Sequence, residues 1–440
     1  MPENNEKKVV TRFAPSPTGL LHLGTYRTAI FAYLFARKNK GQFILRIEDT
    51  DKLRDKKEYE ENIIQSLEWL GLEYDAFYRQ SENIAKHTFY LEKMIADGNA
   101  YISKEEAKDG SGAMKDLVRF KNPNIDVTFH DEIKGDVTTN TTDLGNFIIA
   151  RNLQEPLHHL TVVVDDFEEG VTHVIRGEDL TSNTPRQILI QRAIGAPTPV
   201  YAHLPLVLGG DKLKLSKRRG ALPAMEYKKS GYLPEAVLNG VAFVGWNPGT
   251  DQEIFTHLEL VESFDLSRVQ KSPAIFSEEK LEWFNKEHMK LLSKEEVEKN
   301  ILENLPTEYR NEKLIPVIFE RISKWSDVEE MVRMGELDVF FKAPEMLDKQ
   351  KLIFKTTPPE KIKNNLEVAI KALSEIMEEN FTTENVKTAL MLIAEMLESR
   401  GELLHPVRYA LSGRDKSPDP FIIASIIGKN ETISRLQKAL

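Results

Sequence analysis

A short cluster near the amino terminus combines features that suit phosphate chemistry. A predicted strand ends in Arg12-Phe13-Ala14, a turn of Pro15-Ser16-Pro17-Thr18-Gly19 follows, and His22-Leu23-Gly24-Thr25 begins a helix. The first turn of a helix presents unpaired N–H groups and a positive dipole end, which bind phosphate. Gly24 allows the backbone to approach a nucleotide closely, and His22 can donate hydrogen bonds to a phosphate in a transition state. Taken alone, HxGT is also compatible with an ordinary capped helix.

A second cluster, far downstream, is basic. Its sequence is Asp211-Lys212-Leu213-Lys214-Leu215-Ser216-Lys217-Arg218-Arg219-Gly220, and Gly209-Gly210 precedes it. A basic loop between glycine hinges suits contacts to a triphosphate and its departing pyrophosphate. A solvated basic turn or a general RNA contact explains this segment equally well when it is considered alone.

The elements that would position the first cluster alternate between strand and helix. The hydrophobic pattern predicts a strand over residues 9–14, a helix over 22–39 and a second strand over 42–47. Glu48-Asp49-Thr50-Asp51 follows the second strand, and Asp55 is predicted to cap a helix through Leu70. This order of strands and helices predicts the start of a parallel nucleotide-binding sheet.

Later segments extend this sheet and then become helical. Residues 73–157 are less regular, with strands predicted at 117–120 and 147–150, which suits an α+β insertion. Apolar runs at 160–166 and 171–175 predict further strands of the first sheet. From about residue 293 the pattern is almost entirely helical, with a break at Pro358-Pro359.

Composition limits the class of protein. The 440 residues allow two to four domains, and 41% hydrophobic with 29% charged residues is typical of a soluble globular protein. No apolar run is long enough for a membrane helix and the amino terminus lacks a secretory pattern, so we expect a cytoplasmic location. The absence of cysteine excludes disulfides and thiolate zinc sites, and the histidine spacing predicts no metal site. A net charge of −10 argues against indiscriminate nucleic-acid binding but not against a tRNA enzyme.

Together the two clusters resemble the HIGH and KMSKS motifs of class I aminoacyl-tRNA synthetases. Further segments resemble the bacterial-type glutamyl-tRNA synthetases over essentially the whole chain: residues 11–19, 46–51, 163–166, 177–179 and 183–187. The resemblance implies an α/β fold. It consists of a Rossmann-like parallel-sheet catalytic domain with an α+β insertion, followed by α-helical stem-contact and anticodon-binding domains.

The same resemblance implies domain boundaries. Residues 1–72 and 158–200 would form the two halves of the catalytic domain, and 73–157 a shortened insertion that binds the tRNA acceptor end. Residues 201–293 would contain the KMSKS loop and the stem-contact domain. The anticodon would be bound by two helical subdomains, residues 294–356 and 357–440.

Residue roles also follow from the resemblance, and they fit the chemistry of glutamate, whose carboxylates need cations in a buried pocket. The glutamate-binding residues would be Arg12, Ala14, Ser16, Glu48, His158, Val162 and Arg176, with Glu48 holding the α-ammonium group. The ATP-binding residues would be Pro17, Thr18, Gly19, His22, Gly24, Asp179, Val207, Leu215 and Lys217. The catalytic residues would be His22, Gly24, Thr25, Lys214, Ser216, Lys217 and Arg218.

Three departures from the family pattern concern the pocket and the insertion. His158 stands where the family usually has tyrosine, so it could replace the hydroxyl donor or make the pocket weakly pH-sensitive. Leu180 stands where histidine is common. The stretch between Tyr101 and Val118 is short and lacks the optional zinc cysteines, which predicts a trimmed insertion and no zinc.

The helical carboxyl-terminal third resembles the anticodon-binding domain of bacterial glutamyl enzymes. Arg321, Ser417 and Pro418 are its candidate anticodon-contacting residues, since arginine suits stacking and forked hydrogen bonds to unstacked bases. An exposed helix arginine without a specific role is the alternative for Arg321. The predicted partners are tRNA-Glu, L-glutamate and ATP with Mg²⁺, and the predicted state is a monomer.

The resemblance predicts a glutamate–tRNA ligase that activates glutamate with ATP and transfers it to the 3′ end of tRNA-Glu. Whether tRNA-Gln is also charged stays open, as does the need for bound tRNA during activation. Two alternatives are a relative that glutamylates a modified tRNA base, which lacks the anticodon-binding domain, and a catalytically inactive RNA-binding relative. A glutaminyl enzyme would carry a different lead into the HIGH motif and a β-barrel anticodon domain.

Overall fold

A computed structural model describes residues 8–51, 53–106, 114–213, 215 and 222–440. The chain divides into two compact units, Met1–Leu291 and Leu292–Leu440. The first unit contains every strand found in the described residues, and the second consists of helices and turns. No helix in the described ranges is both long and apolar enough to span a membrane.

The first unit alternates strands and helices along the chain. Its elements in chain order are β1 (Val10–Phe13), α1 (Leu23–Lys38), β2 (Gln42–Ile47), α2 (Lys57–Trp69), β3 (Ala76–Arg79), α3 (Ile84–Ala96), β4 (Ala100–Glu106), β5 (Met114–Phe120), β6 (Asp126–Asp131), β7 (Gly135–Asn140), β8 (Ile148–Asn152), β9 (Glu155–Pro156), α4 (His158–Glu168), β10 (His173–Gly177), α5 (Thr184–Ile194), β11 (Val200–Leu204), β12 (Val207–Leu208), α6 (Ala224–Lys229), α7 (Pro234–Ala242), α8 (His257–Ser263), β13 (Ala274–Ile275) and α9 (Glu278–Met289).

The main sheet has seven strands in the order β3-β2-β1-β10-β11-β6-β7. Neighbouring strands are parallel except for the β6–β7 hairpin, which is antiparallel. Because β1 connects to β2 on one side and lies beside β10 on the other, the strand order reverses there. Open α/β sheets bind ligands at such a reversal, beyond the carboxyl ends of the strands.

Helix α1 anchors the first sequence cluster to this sheet. Most of its side chains are buried, and those of Tyr26, Ile30 and Leu34 belong to the core formed with β1, β2 and α7. The helix ends with Arg37 and Lys38 in its last turn, where cations stabilise the negative end of the dipole. The predicted strand–helix–strand start is therefore confirmed, within one or two residues at the ends.

Two predictions of local structure were wrong. Residues 160–166 were predicted as a buried strand but lie in α4, and every one of them is buried. A helix covered on all sides has no polar face, so its apolar run is indistinguishable from that of a central strand. Asp55 does not cap α2, because the helix begins at Lys57 with Lys56 in the N-cap position.

Residues 73–157 contribute to two sheets. Strands β4, β5, β8 and β9 form an antiparallel sheet of their own, and the predicted strands at 117–120 and 147–150 lie in β5 and β8. Strands β3, β6 and β7 instead hydrogen-bond into the main sheet. Asp131, the last residue of β6, is thereby placed next to β11.

The second unit is helical throughout its described residues. Its helices are α10 (Lys294–Asn304), α11 (Ile315–Arg321), α12 (Ser326–Arg333), α13 (Pro359–Ser374), α14 (Thr383–Ala394), α15 (Gly401–Ser412), α16 (Pro420–Ile427) and α17 (Lys429–Ala439). The predicted break at Pro358-Pro359 is where α13 begins, with proline at a helix start that needs no N–H.

Candidate functional site

A cavity of about 520 Å³ lies at the carboxyl ends of β1, β2, β10 and β11. Several predicted site residues line it together: Arg12, Ala14, His22, Gly24, Thr25, Glu48, His158, Val162, Arg176, Asp179, Val207 and Leu215. Residues of the first sequence cluster and Leu215 of the second cluster therefore meet at one site.

Other predicted site residues lie elsewhere or outside the described part of the chain. Ser16, Pro17, Thr18 and Gly19 form the turn between β1 and α1 and do not line this cavity. Lys214, Ser216, Lys217 and Arg218 lie outside the described residues. Leu215 is described, and its backbone N–H donates to the carbonyl of Val207 at 3.0 Å.

The start of α1 faces the cavity. His22 is the N-cap residue, and its side chain is exposed and does not cap the helix. Instead its ring nitrogens lie 3.1 and 3.3 Å from the hydroxyl oxygen of Thr25. The imidazole and the first helical turn, which carries Gly24, thus present donors to the same space, as an anion site requires.

A buried network of ion pairs forms one wall. Asp166 accepts from Arg12 at 3.1 Å and from Arg46 at 2.8 Å, and Arg46 also donates to Glu169 at 2.6 Å. Burial alone would raise the pKa of Asp166, but the charges of Arg12 and Arg46 hold it below its ordinary value. Arg46 does not itself line the cavity. Its contacts hold in place the residues that do.

Glu48 lies between this network and the opening of the cavity. Its carboxylate is 3.4 Å from a guanidinium nitrogen of Arg46 and 3.5 Å from Nδ1 of His158. Burial by itself would raise the pKa of Glu48, but His158, Arg46 and Arg12 lower it below the ordinary value. An ionised carboxylate at this depth can bind an ammonium group of a ligand.

Arg176 is held by residues to which the sequence analysis assigned no role. Its Nε donates to Nε2 of His203 at 3.1 Å, and an Nη2 donor reaches Oγ1 of Thr184 at 2.7 Å. Asp131 binds the other ring nitrogen of His203 at 2.6 Å. Burial lowers the pKa of Arg176 to about 10. The pairing of β10 with β11 and of β11 with β6 brings His203 and Asp131 to Arg176, and the start of α5 brings Thr184.

Another buried arginine supports the part of the cavity wall next to Val207. Arg27, from the second turn of α1, donates to the carbonyl of Pro205 at 2.7 Å, and burial lowers its pKa to about 10. Glu178 accepts from the backbone N–H of Leu206 at 2.8 Å. These contacts fix the turn before Val207, so the cavity has a rigid wall on this side.

The helical unit contains a separate cavity of about 580 Å³. The three predicted anticodon-contacting residues, Arg321, Ser417 and Pro418, all line it. Arg321 forms an ion pair with Glu336 at 2.5 Å, and Arg414 and Lys416 add positive charge to the wall. Glu320, Glu336 and Asp419 also line it, so the charges of the wall are mixed, and basic side chains at a concave surface can contact a nucleic-acid strand.

Neither cavity contains an obvious metal site. No group of three or more histidine or acidic side chains that could hold a metal ion occurs in the described ranges. Arg12, Arg176 and Glu48 line the first cavity beside a helix start, with Arg27 and Asp179 further along its lining. Two guanidinium groups and a carboxylate next to a helix start suit a small amino acid beside a phosphate.

Comparison with known proteins supports the same interpretation. The family model described as "tRNA synthetases class I (E and Q), catalytic domain" matches residues 8–109 and 102–283, and "Anticodon binding domain" matches 278–440. The chain is 40% identical to a glutamate–tRNA ligase of Aquifex aeolicus and 37% identical to one of Petrotoga mobilis. The first alignment covers 98% of this chain and 99% of the relative, the second 98% and 97%.

A solved structure is similar over its whole length. It is a glutamate tRNA ligase from Elizabethkingia meningosepticum in complex with its amino acid, 32% identical, with a TM-score of 0.86. The comparison covers 98% of this chain and 99% of that one.

Proposed function

Because the chain belongs to the class I tRNA synthetases of the glutamate and glutamine group, we propose that it is a glutamate–tRNA ligase. One observation carries the proposal: the cavity joins the His22 helix start to two arginines and an ionised glutamate. The helix start suits a phosphate, and the charged side chains suit an amino acid with two carboxylates.

The reaction has two steps. A glutamate α-carboxylate oxygen attacks the α-phosphorus of ATP, which enters as its magnesium complex, and pyrophosphate leaves with the electron pair of the broken P–O bond. A terminal ribose hydroxyl of tRNA then attacks the glutamyl carbonyl carbon, and AMP leaves. Positioning and charge stabilisation supply most of the rate enhancement in such transfers.

The charged residues would bind different groups of the substrate. Glu48 would bind the α-ammonium group, and Arg12 and Arg176 the carboxylates, since a planar guanidinium matches a carboxylate in geometry and charge. Bound glutamate then has its α-carboxylate directed toward the ATP. Asp179 and Val207, with the backbone at Leu215, would contact ATP on the opposite wall.

Catalysis is assigned to groups that meet the phosphates. His22, Gly24 and Thr25 would contact the triphosphate from the helix start. Lys214, Ser216, Lys217 and Arg218, which flank Leu215 in the sequence, would contact it as well. The helical unit would bind the anticodon of tRNA-Glu through Arg321, Ser417 and Pro418. A monomeric state and a cytoplasmic location stay predictions.

The alternatives are less favoured by specific observations. A relative that glutamylates a modified tRNA base lacks the anticodon-binding domain, whereas residues 278–440 match one. An inactive RNA-binding protein has no need for a cavity that keeps Glu48 ionised between Arg46 and His158. Helices occupy the region where a glutaminyl enzyme would have a β-barrel.

A charging assay tests the proposal directly. Purified protein is incubated with ATP, either glutamate or glutamine, and either tRNA-Glu or tRNA-Gln. We expect glutamate to be attached to tRNA-Glu, and the tRNA-Gln reaction shows whether the enzyme discriminates between the two tRNAs. No charging of tRNA-Glu with glutamate by folded protein would contradict the proposal.

Substitution of Lys217 by alanine tests the assignment of the basic loop. We expect the rate of ATP–pyrophosphate exchange with tRNA present to fall about 100- to 1,000-fold, because a cation that meets transition-state charge is lost. The KM for glutamate should change far less, since the glutamate-binding side chains lie in the sheet wall. Unchanged exchange in Lys217→Ala would refute this role.

A further inference from the structure

Arg176 differs from Arg12 in how its charge is compensated. Arg12 donates to the carboxylate of Asp166, whereas Arg176 donates to two neutral acceptors, His203 and Thr184. Within the part of the chain that the structure describes, no carboxylate lies within 4.0 Å of Arg176. Arg176 is 5% exposed and lines the cavity. A buried cation without a resident counter-ion is costly unless a ligand supplies the charge.

His203 can accept from Arg176 in only one tautomer. Asp131 Oδ2 lies 2.6 Å from Nδ1 of His203 and also accepts the backbone N–H of His203 at 3.0 Å. The second oxygen of Asp131 accepts from the N–H groups of Ile133 and Lys134 at 3.0 and 2.8 Å. A carboxylate with this many donors is ionised, so Nδ1 carries the proton and Nε2 is left as an acceptor.

The strands make this arrangement rigid. Arg176 and His203 are direct neighbours across β10 and β11, and Asp131 ends β6 beside β11. Asp131, Thr184 and His203 are completely buried. Burial also lowers the pKa of His203, which keeps the ring neutral.

We propose that Asp131 and His203 are positioning residues for Arg176. Asp131 sets the tautomer of His203, and the neutral ring of His203 holds Arg176, so that the full charge of Arg176 is available to a carboxylate of glutamate. If His203 carried a proton on Nε2, two donors would face each other and Arg176 would lose its orientation. If a carboxylate replaced His203, it would neutralise Arg176 and compete with the substrate. The arrangement thus favours an anionic side chain over an amide. This inference rests on the proposed function, because it concerns the glutamate pocket.

Three variants test the proposal in the full-length protein. Asp131→Asn removes the acceptor that sets the tautomer, and His203→Phe keeps an aromatic ring but removes both nitrogens. Asp136→Asn is the matched control, because Asp136 binds His130 at 2.7 Å in an exposed pair on the same β6–β7 hairpin as Asp131. The KM for glutamate, the KM for ATP and kcat are measured by charging of tRNA-Glu.

We expect the KM for glutamate to rise about 10- to 100-fold in Asp131→Asn and His203→Phe, by analogy with groups that orient metal-binding histidines. The KM for ATP and the kcat at saturating glutamate should stay close to the wild-type values, and Asp136→Asn should match wild type. The KM for glutamate in the double variant should be no higher than in the more impaired single variant, because both substitutions break the same chain of contacts.

The results separate this inference from the proposed function. Failure of the wild-type protein to charge tRNA-Glu contradicts the function itself. Wild-type charging with an unchanged KM for glutamate in folded Asp131→Asn overturns only the positioning role, as does an equal rise in the KM values for glutamate and ATP. If Asp131→Asn and His203→Phe do not fold, Thr184→Val removes the other acceptor of Arg176 and must raise the KM for glutamate selectively.

Discussion

At the scale of single residues, His158 is the departure that bears most directly on the pocket. Its imidazole lies 3.5 Å from Glu48 at the cavity wall. The histidine contributes to the low pKa of Glu48, against the effect of burial, which raises it. The imidazole thus helps to keep Glu48 ionised.

The variant His158→Phe tests this contact through its pH dependence. Without the histidine, the pKa of Glu48 should rise, because burial then acts with less opposition. Glu48 must be ionised to bind the α-ammonium group, so the KM for glutamate should increase more steeply as the pH falls than it does in wild type. Steady-state charging between pH 5.5 and 8 measures this, and parallel profiles for the two proteins would exclude the contribution.

His159 gives a second pH prediction, this time for stability. Burial lowers the pKa of His159 to about 4, and the charges of His158 and nearby arginines act in the same direction. In the unfolded chain the same ring titrates near pH 6.5. Because the folded pKa is the lower one, the stability present above pH 6.5 is lost as the pH falls toward 4.

Substitution of His159 by glutamine should remove this part of the acid sensitivity. Urea denaturation at pH 7.5 and pH 5 gives the free energy of unfolding, and the decrease between the two should be smaller in His159→Gln than in wild type. His130→Gln is a suitable control, since His130 is exposed and its pKa is raised by Asp136 rather than lowered. Equal decreases in wild type and His159→Gln would contradict the prediction.

At the scale of elements, the close packing of α7 and α9 depends on a glycine. A Cβ placed on Gly240 would lie 2.6 Å from Cδ1 of Leu281 and 3.3 Å from the ring of Phe284. In an open helix, alanine is favoured over glycine by about 1 kcal/mol. Here both neighbours are buried and have little space to move, so the overlap should outweigh that gain.

We therefore expect Gly240→Ala to lower the free energy of unfolding by about 1–3 kcal/mol. Denaturant unfolding of the full chain, followed by circular dichroism, measures the change. In Gly240→Ala/Leu281→Val the shorter side chain makes room for the methyl group, so the double variant should lose less stability than the two single losses added together. Additive losses would show that the two helices do not meet at this point.

The elements also show where sequence reasoning succeeds and fails. The first strands and α1 were predicted because polar turns and charged helix ends mark their limits. The run at 160–166 was assigned to the wrong element, since α4 is buried on all sides and hides its period. Arg12, Glu48 and Arg176 were found through motifs, but Asp131 and His203 carry no local signal. They become neighbours of Arg176 only through strand pairing across distant segments.

At the scale of the whole molecule, the chain is shorter than some of its relatives. The alignment with the Aquifex protein spans 479 positions, more than the 440 residues present here. This chain therefore lacks residues that the relative has. The stretch between Tyr101 and Val118, which the sequence predicts to be shortened, includes residues 107–113, which lie outside the described ranges. Its effect on tRNA binding stays a prediction.

The two units each contain a cavity of their own, and the predicted anticodon-contacting residues lie in the second unit. Arg321 lines the cavity of the helical unit and is paired with Glu336. If this cavity binds the anticodon, Arg321→Ala should raise the KM for tRNA-Glu about tenfold or more, the cost of one lost specific arginine contact. The KM for glutamate should not change, because none of the residues that line the glutamate cavity lies in the helical unit.

A second arginine in the same unit provides the control for that experiment. Arg333 is also a helix arginine paired with a glutamate, Glu330, but it does not line the cavity. Arg333→Ala removes the same charge from the unit, so it reproduces any general loss of attraction between the protein and tRNA. A rise in the KM for tRNA that is equal in the two variants would mean that Arg321 acts only through its charge. A rise confined to Arg321→Ala would identify a specific contact, and repeating the assay with tRNA-Gln would show whether that contact distinguishes the two tRNAs.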